Sequence, residues 1–209
     1  MTATQPEKRA SKIDDILTLD YRTGAVYNKL TEERVQVIPI LPWRRIKDNL
    51  IRDFKDEASP IISLVGSALG SSVAEEMMAK ISDPEALVNY LSDMLAWLGW
   101  GVFSIVGDTR YGSKLIVSVA NCGFCDKGDS AYSPECHFLL AALKGMADTV
   151  YGTPHKVSEE RCAAKGDGVC LFEVEECGDF EVCSECNNGK YCSFARACDN
   201  SSGAVARAD

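Results

Sequence analysis

The sequence predicts an α+β domain: a mainly antiparallel sheet with helices packed on it. Three observations carry that reading. Helical spacing of apolar residues runs from Trp43 to Gly99. Apolar alternation takes over from Gly101 and returns after His155. Each alternating stretch is cut by a turn-rich segment, so strands come in hairpin pairs between runs of helix.

The elements follow in order. Residues 1–14 read as a lead without apolar periodicity, and the domain is expected to run from 15 to 176. DYRTGAVYNKLTEERVQVIPI reads as two short strands, around Ala25–Tyr27 and Arg34–Ile40, with Pro39 and Pro42 ending the second. In WRRIKDNLIRDFKDE, Trp43, Ile46, Leu50 and Phe54 share one helical face. Ser59 and Pro60 mark the start of a second helix, SPIISLVGSALGSSVAEEMMAKI. Gly66 and Gly70 lie four apart on one side of it. Glycine weakens a helix, so a close approach is expected there, either of another helix or of a ligand in a pocket beside Gly66 and Gly70. A third helix begins near Asp83 and turns Leu87, Tyr90, Leu91, Met94 and Leu95 toward the core.

GWGVFSIVGD and SKLIVSVANC then form a hairpin around DTRYGS. The stretch GDTRYGSK is not a phosphate loop: Ser113-Lys114 is in the wrong order, and a strand follows where a helix is needed. NCGFCDKGDSAYSPE is a loop. CHFLLAALKGMADTVYG is a helix with Phe138, Leu139, Ala142, Leu143 and Met146 as its buried stripe and Gly152 as its stop. HKVSEERC and GVCLFEVEE make the last hairpin. Residues 173–209 hold eight acidic and three basic side chains with five cysteines, and few large apolar residues. Such a segment builds no core of its own, so 177–209 is read as a Cys-rich metal-binding tail.

Apolar residues make up 46% of the 209-residue chain and charged ones 25%, as in an ordinary globular protein. A net charge of -9 argues against a general nucleic-acid surface. MTATQPEKRASK lacks the apolar core of a secretory signal. The uncharged stretches Ala58–Ala74 and Met94–Gly107 are too short to span a membrane. The expected location is therefore cytoplasmic. Ten cysteines there point to metal ligands or redox groups rather than structural disulfides.

Cys136 on a helix, with Cys162 and Cys170 on the last hairpin, lie on elements that pack together in such a fold. Three thiolates need a fourth ligand to close a tetrahedral zinc site. Strand alternation puts Glu160 on the face of Cys162; a bend or bulge would bring in Glu159 instead.

CHFLLAALKGMADTVYGTPHKVSEERCAAKGDGVCLFEV resembles the signature of the 4-vinyl-reductase domain, a fold shared with vesicle-tethering subunits. The element order over residues 20–176 agrees with it. The resemblance implies a zinc held by a helix Cys, a Glu, and two hairpin Cys eight residues apart. Cys136, Cys162 and Cys170 match, and the family spacing selects Glu159. That zinc would be structural, since four protein ligands leave no position for a catalytic water.

Seven cysteines remain. Cys122 and Cys125 form one CxxC, Cys183 and Cys186 another, with Cys177, Cys192 and Cys198 around the second. They make a second metal site, zinc or iron-sulfur, in one of two ways. The two CxxC pairs join, or four tail cysteines form their own cluster. The ordinary family pattern lacks this tail.

No nucleophile elbow, dinucleotide fingerprint or His-metal motif is present. His137 points away from Cys136 along the helix, and His155 is expected at the surface. The expected function is binding of a hydrophobic, aromatic or tetrapyrrole-like small molecule rather than catalysis. A homodimer is expected, with a further protein partner as the route for any signal. The alternative is an iron-sulfur electron-transfer or reductase accessory protein acting on a bound pigment or cofactor.

Overall fold

The computed structural model describes residues 16–36, 39–125 and 136–177. The chain divides into two compact units between Val37 and Ile38. In the first, β1 (Leu17–Asp20), β2 (Ala25–Asn28) and β3 (Arg34–Val35) form an antiparallel sheet in that order. The turn after β1 is built by Asp20, whose carboxylate accepts from the Arg22 N–H and the Thr23 hydroxyl. The expected strand pair is thus a three-stranded sheet. β1 was missed because four residues with mixed burial carry no clear alternation.

The second unit begins with α1 (Ile40–Phe54), which a short 3₁₀ turn, Lys55–Glu57, joins to α2 (Ala58–Met78). α2 therefore starts at the turn itself, slightly before the expected Ser59-Pro60. α3 (Pro84–Trp97) starts where expected: the Asp83 carboxylate accepts from the Ala86 N–H at 2.8 Å, and proline fills the first helical position. Then come β4 (Val102–Gly107), β5 (Lys114–Ala120), α4 (His137–Tyr151), β6 (His155–Arg161) and β7 (Val169–Glu176). Gly152 ends α4 with φ of 68°, in the left-handed region that glycine favours.

The four strands form one antiparallel sheet in the order β4-β5-β7-β6. Leu115, Val117 and Val119 of β5 and Cys170, Phe172 and Val174 of β7 are buried at every second position, as a sheet covered on one face requires. On α4, Phe138, Leu139, Ala142, Leu143 and Met146 are all buried, as expected. The α1 stripe is only partly inward. Ile46 and Phe54 are each 49% exposed, and the side chain buried on this helix is Lys47.

α2 and α4 make the most extensive contact between elements. A Cβ on Gly66 would lie 2.4 Å from the Phe138 carbonyl oxygen, and one on Gly70 would lie 2.1 Å from that of Ala142. Gly145 returns the arrangement, its missing Cβ facing the Ser67 carbonyl at 2.3 Å. Close helix packing, not a ligand, thus explains the two glycines of α2. Their placement in a ligand pocket is corrected: neither lines a cavity found in the described residues.

His155 is also not at the surface. It is 1% exposed, its ring nitrogens 2.8 and 3.2 Å from the carbonyl oxygens of Thr153 and Gly112. Asp148, equally buried, accepts from the His155 backbone N–H at 2.7 Å and from Lys144. The network ties the end of α4 to the start of β6. Burial opposes charge on Asp148, but His155 and Lys144 prevail and hold its carboxyl below the usual range.

Candidate metal centre and adjoining cavity

Five buried thiols converge where the first turn of α4 meets the β6–β7 hairpin. Cys136 is the residue that opens α4, and it is fully buried. Cys170 pairs with Val119 in the sheet, and alternation turns it to the covered face. Cys162 follows β6 and leads into a 3₁₀ turn, Ala163–Lys165. The Asp167 carboxylate accepts from the Cys162 N–H at 3.0 Å, and the Ala163 N–H points at the Cys170 sulfur at 3.4 Å. The turn glycines Gly166 and Gly168 have φ of 97° and 79°, which lets the chain double back so tightly.

Cys122 and Cys125 come from the loop after β5. That loop is held on two sides. The Arg44 guanidinium of α1 donates to the Cys125 carbonyl at 2.9 Å and the Gly123 carbonyl at 3.4 Å. The Gly123 N–H donates to the Trp100 carbonyl at 3.0 Å. Held there, the Cys125 sulfur lies 2.9 Å from that of Cys136, 3.2 Å from Cys170 and 3.6 Å from Cys162. Cys122 is 3.8 Å from Cys136, and Cys136 is 3.6 Å from Cys170.

The pairing of β6 with β7 shifts register between Glu159 and Arg161. This bulge decides between the two glutamates. Glu159 faces the thiols, whereas Glu160 is exposed and accepts from the Ser158 hydroxyl. Both Glu159 carboxylate oxygens are buried without a hydrogen-bond partner.

Two sets of four donors therefore exist, each with its ligand atoms within 4.8 Å of one another. One is Cys122, Cys125, Cys136 and Cys170; the other is Cys136, Glu159, Cys162 and Cys170. Either has the number and softness of donors that suit a tetrahedral thiophilic ion. The electrostatics ask for one. Neighbouring thiols, Cys122 foremost, push Cys125 and Cys136 up, while the thiols of Cys122, Cys125 and Cys136 pull Cys170 down. Burial pushes Glu159 up, partly offset by the thiols of Cys136 and Cys162. Without a cation, negative charge gathers on one sulfur and the other donors stay protonated.

The sequence reading placed Cys122 and Cys125 with the tail cysteines. The structure brings them to Cys136 and Cys170 instead. Cys177, whose N–H donates to the Pro154 carbonyl, joins neither set. Cys183, Cys186, Cys192 and Cys198 lie outside the described residues.

Next to the thiols is a cavity of about 350 Å³ among α1, α2 and the start of α4. Trp43, Phe124 and Phe138 line it, with Lys47 and His137 as polar members. Its aromatic wall is one packed cluster: the Trp43 and Phe138 rings are 4.4 Å apart, and those of Phe124 and Phe138 4.9 Å. Trp100 closes the back of the cluster, 5.0 Å from Phe124. A second cavity, of about 60 Å³, lies between α3, α4 and the sheet. Its polar members are already satisfied: the Tyr151 hydroxyl donates to the Thr109 carbonyl and the Ser92 hydroxyl to that of Val88. No sequence signal marked Trp43 or Phe124 as cavity residues, since aromatic residues at helical spacing read first as core.

Residues 115–176 match the family model of the 4-vinyl-reductase domain. A 62-residue stretch is 36% identical to an uncharacterized protein of Methanocaldococcus jannaschii, covering 29% of this chain and 33% of that relative, about a third of its length. The whole fold is similar to the phenol-responsive sensory domain of the transcription activator PoxR, solved with phenol. The TM-score is 0.64 at 12% identity, over 90% of this chain and 92% of that one. A vinyl-4-reductase family protein of Methanocaldococcus jannaschii matches with a TM-score of 0.51 at 16% identity, over 69% of this chain and 85% of that one. The expected resemblance and the α+β ligand-binding fold are thus both borne out. Among the described residues no helix is long and apolar enough to cross a membrane.

Proposed function

We propose that this chain is a cytoplasmic small-molecule binding protein. Its ligand is a compact hydrophobic or aromatic molecule, held in the 350 Å³ cavity. That volume falls within the range of ligand sites, and its lining is the usual mixture of aromatic walls and a few polar groups. The like-folded sensory domain is phenol-responsive, which supports an aromatic ligand over an isoprenoid or tetrapyrrole one.

One observation carries the reading. Donors and cavity wall alternate along the same two short stretches. Phe124 stands between Cys122 and Cys125, and His137 and Phe138 follow Cys136. A structural zinc at Cys136, Glu159, Cys162 and Cys170 would therefore clamp α4 to the hairpin and fix the wall of the cavity. The domain spans 15–176, and the Cys-rich tail 177–209 supplies further thiolates from Cys177, Cys183, Cys186, Cys192 and Cys198. A homodimer is supported by apolar side chains left exposed on α1 and α2, Leu41, Ile46, Leu64 and Val65 among them; a homodimer or a further protein partner would pass on any signal.

A second reading has its own support. Cys122, Cys125, Cys136 and Cys170 form a four-thiolate set, the donor set of an iron-sulfur cluster. An electron-transfer accessory protein would then be brown and bleach in air, whereas a zinc protein is colourless.

The binding reading is tested by titrating the full chain with 2-naphthol and following tryptophan fluorescence. Saturable quenching is expected. Trp43→Ala should weaken it at least about tenfold, the loss of some 1.4 kcal/mol of contact. Leu143→Ala, in the smaller cavity, should not. No saturable change, or binding indifferent to Trp43→Ala, overturns the assignment.

A further inference from the structure

We infer that the thiol cluster is built for two divalent ions that share Cys136 and Cys170 as bridging thiolates. The inference rests on the reading that the cluster holds metal, and it goes beyond the single zinc of that reading. The two four-donor sets are not separate sites. They have Cys136 and Cys170 in common, and together they comprise six donors: Cys122 and Cys125 on one side, Cys162 and Glu159 on the other, and the shared pair between.

Geometry fits sharing. A tetrahedral ion with metal–sulfur bonds of about 2.3 Å has sulfur–sulfur edges of roughly 3.8 Å. The Cys136–Cys170 edge is 3.6 Å and the Cys122–Cys136 edge 3.8 Å. Cys125 touches both bridging sulfurs and also Cys162 at 3.6 Å, so the six donors form one continuous body.

Charge argues the same way. One ion in the Cys122-Cys125-Cys136-Cys170 set leaves the Glu159 carboxylate buried, with neither oxygen hydrogen-bonded, beside an anionic centre. One ion in the other set leaves Cys122 and Cys125 buried against an equally anionic centre, neutral and without a role. Two ions engage all six donors, each ion with four. Five thiolates and one carboxylate against two divalent ions leave two negative charges, the same excess as a single ion with three thiolates and a carboxylate. The Arg44 guanidinium on the Cys125 carbonyl and the Ala163 N–H on the Cys170 sulfur lie where they offset that excess. No redox step is involved. Each ion displaces protons from the thiols to solvent, and the sulfur oxidation state is unchanged.

The test loads the full chain with cadmium-113 and records its NMR spectrum beside a metal count. Bridging thiolates should give two cadmium resonances split by each other through the shared sulfurs. The double variant Cys122→Ser, Cys125→Ser should lose one ion relative to the unmodified chain, and the splitting with it, while circular dichroism reports an intact fold. A count that does not fall in that variant, or resonances without mutual splitting in the unmodified chain, overturns the bridged pair. A single resonance that the double variant keeps would leave one structural metal standing. No bound metal would sink the metal reading itself. Iron with acid-labile sulfide would replace the bridged ions by a cluster. The splitting is read on the unmodified chain, so a variant that fails to fold does not spare the proposal.

Discussion

Alanine at Gly70 separates two accounts of the same residue. The missing Cβ would stand 2.1 Å from the Ala142 carbonyl oxygen and 2.9 Å from that residue's Cα and carbonyl carbon. An ordinary carbon–oxygen contact is roughly 3.3 Å or more, so the shortfall is about 1.2 Å. Every atom it meets belongs to the α4 backbone, and no side chain can rotate out of the way. Either the helices part or α4 slides. Overpacking of this kind costs about 1–3 kcal/mol, and a backbone-only contact belongs at the upper end. Replacing a helical glycine returns about 1 kcal/mol. The net expectation is a loss of about 2 kcal/mol, or about 4–8 °C in Tm for a chain of this size. Thermal unfolding followed by circular dichroism reads it directly. Ser72→Ala, on the exposed face of the same helix, is the control and should raise Tm slightly. If Gly70→Ala behaves like Ser72→Ala, the close-packing argument is wrong. If Tm holds while 2-naphthol binding disappears, the glycine belongs to a ligand site after all.

Two further outcomes follow from the buried polar groups. Asp148→Asn removes a buried charge from Lys144 and His155 and should cost about 3 kcal/mol, or about 6–12 °C in Tm. The Asp148 carboxyl is held below the ordinary range, so its stabilisation is complete above the unfolded value of about 3.9 and fades as pH falls through the lower folded value. A urea-midpoint series should therefore show the gap between native and Asp148→Asn protein narrowing only below about pH 4; a gap independent of pH refutes the charge argument. Glu159→Gln should surrender zinc to a chromogenic chelator at lower chelator concentration than the unmodified chain, and Glu160→Gln at the same concentration, since only Glu159 faces the thiols. Equal release from both variants would mean that the bulge does not select the ligand.

The sequence made most of the second unit legible because its signals are local. Asp83-Pro84 caps a helix, Gly152 stops one, and β5 and β7 alternate without exception. The Glu159–Glu160 choice was not local. Strict alternation favours Glu160, and only the register against β7 reveals the bulge that favours Glu159. β1 escaped because its pairing with β2, rather than its own pattern, makes it a strand. His155 looked like a loop residue after Pro154. Its burial depends on the Gly112 carbonyl and the Asp148 carboxylate, seven and more residues away.

The convergence of the CxxC loop on Cys136 was the least legible feature, and the reason is physical. Composition linked Cys122 and Cys125 to the other CxxC pair, because matching motifs suggest a shared site. Position is decided instead by what holds the loop. Gly123 admits the Gly99 carbonyl, which a Cβ would meet at 2.7 Å, and Arg44 grips two carbonyls from the opposite side. Phe124, between the two thiols, packs edge-on against Trp43 and Trp100. Those contacts leave the thiols no direction but inward, toward the first turn of α4. The same anchoring joins the cavity to the cluster: Phe124 cannot shift without carrying Cys125, nor Phe138 without the helix start at Cys136. An ion that fixes the sulfurs therefore fixes the aromatic wall, and a molecule that displaces the wall works against the ion.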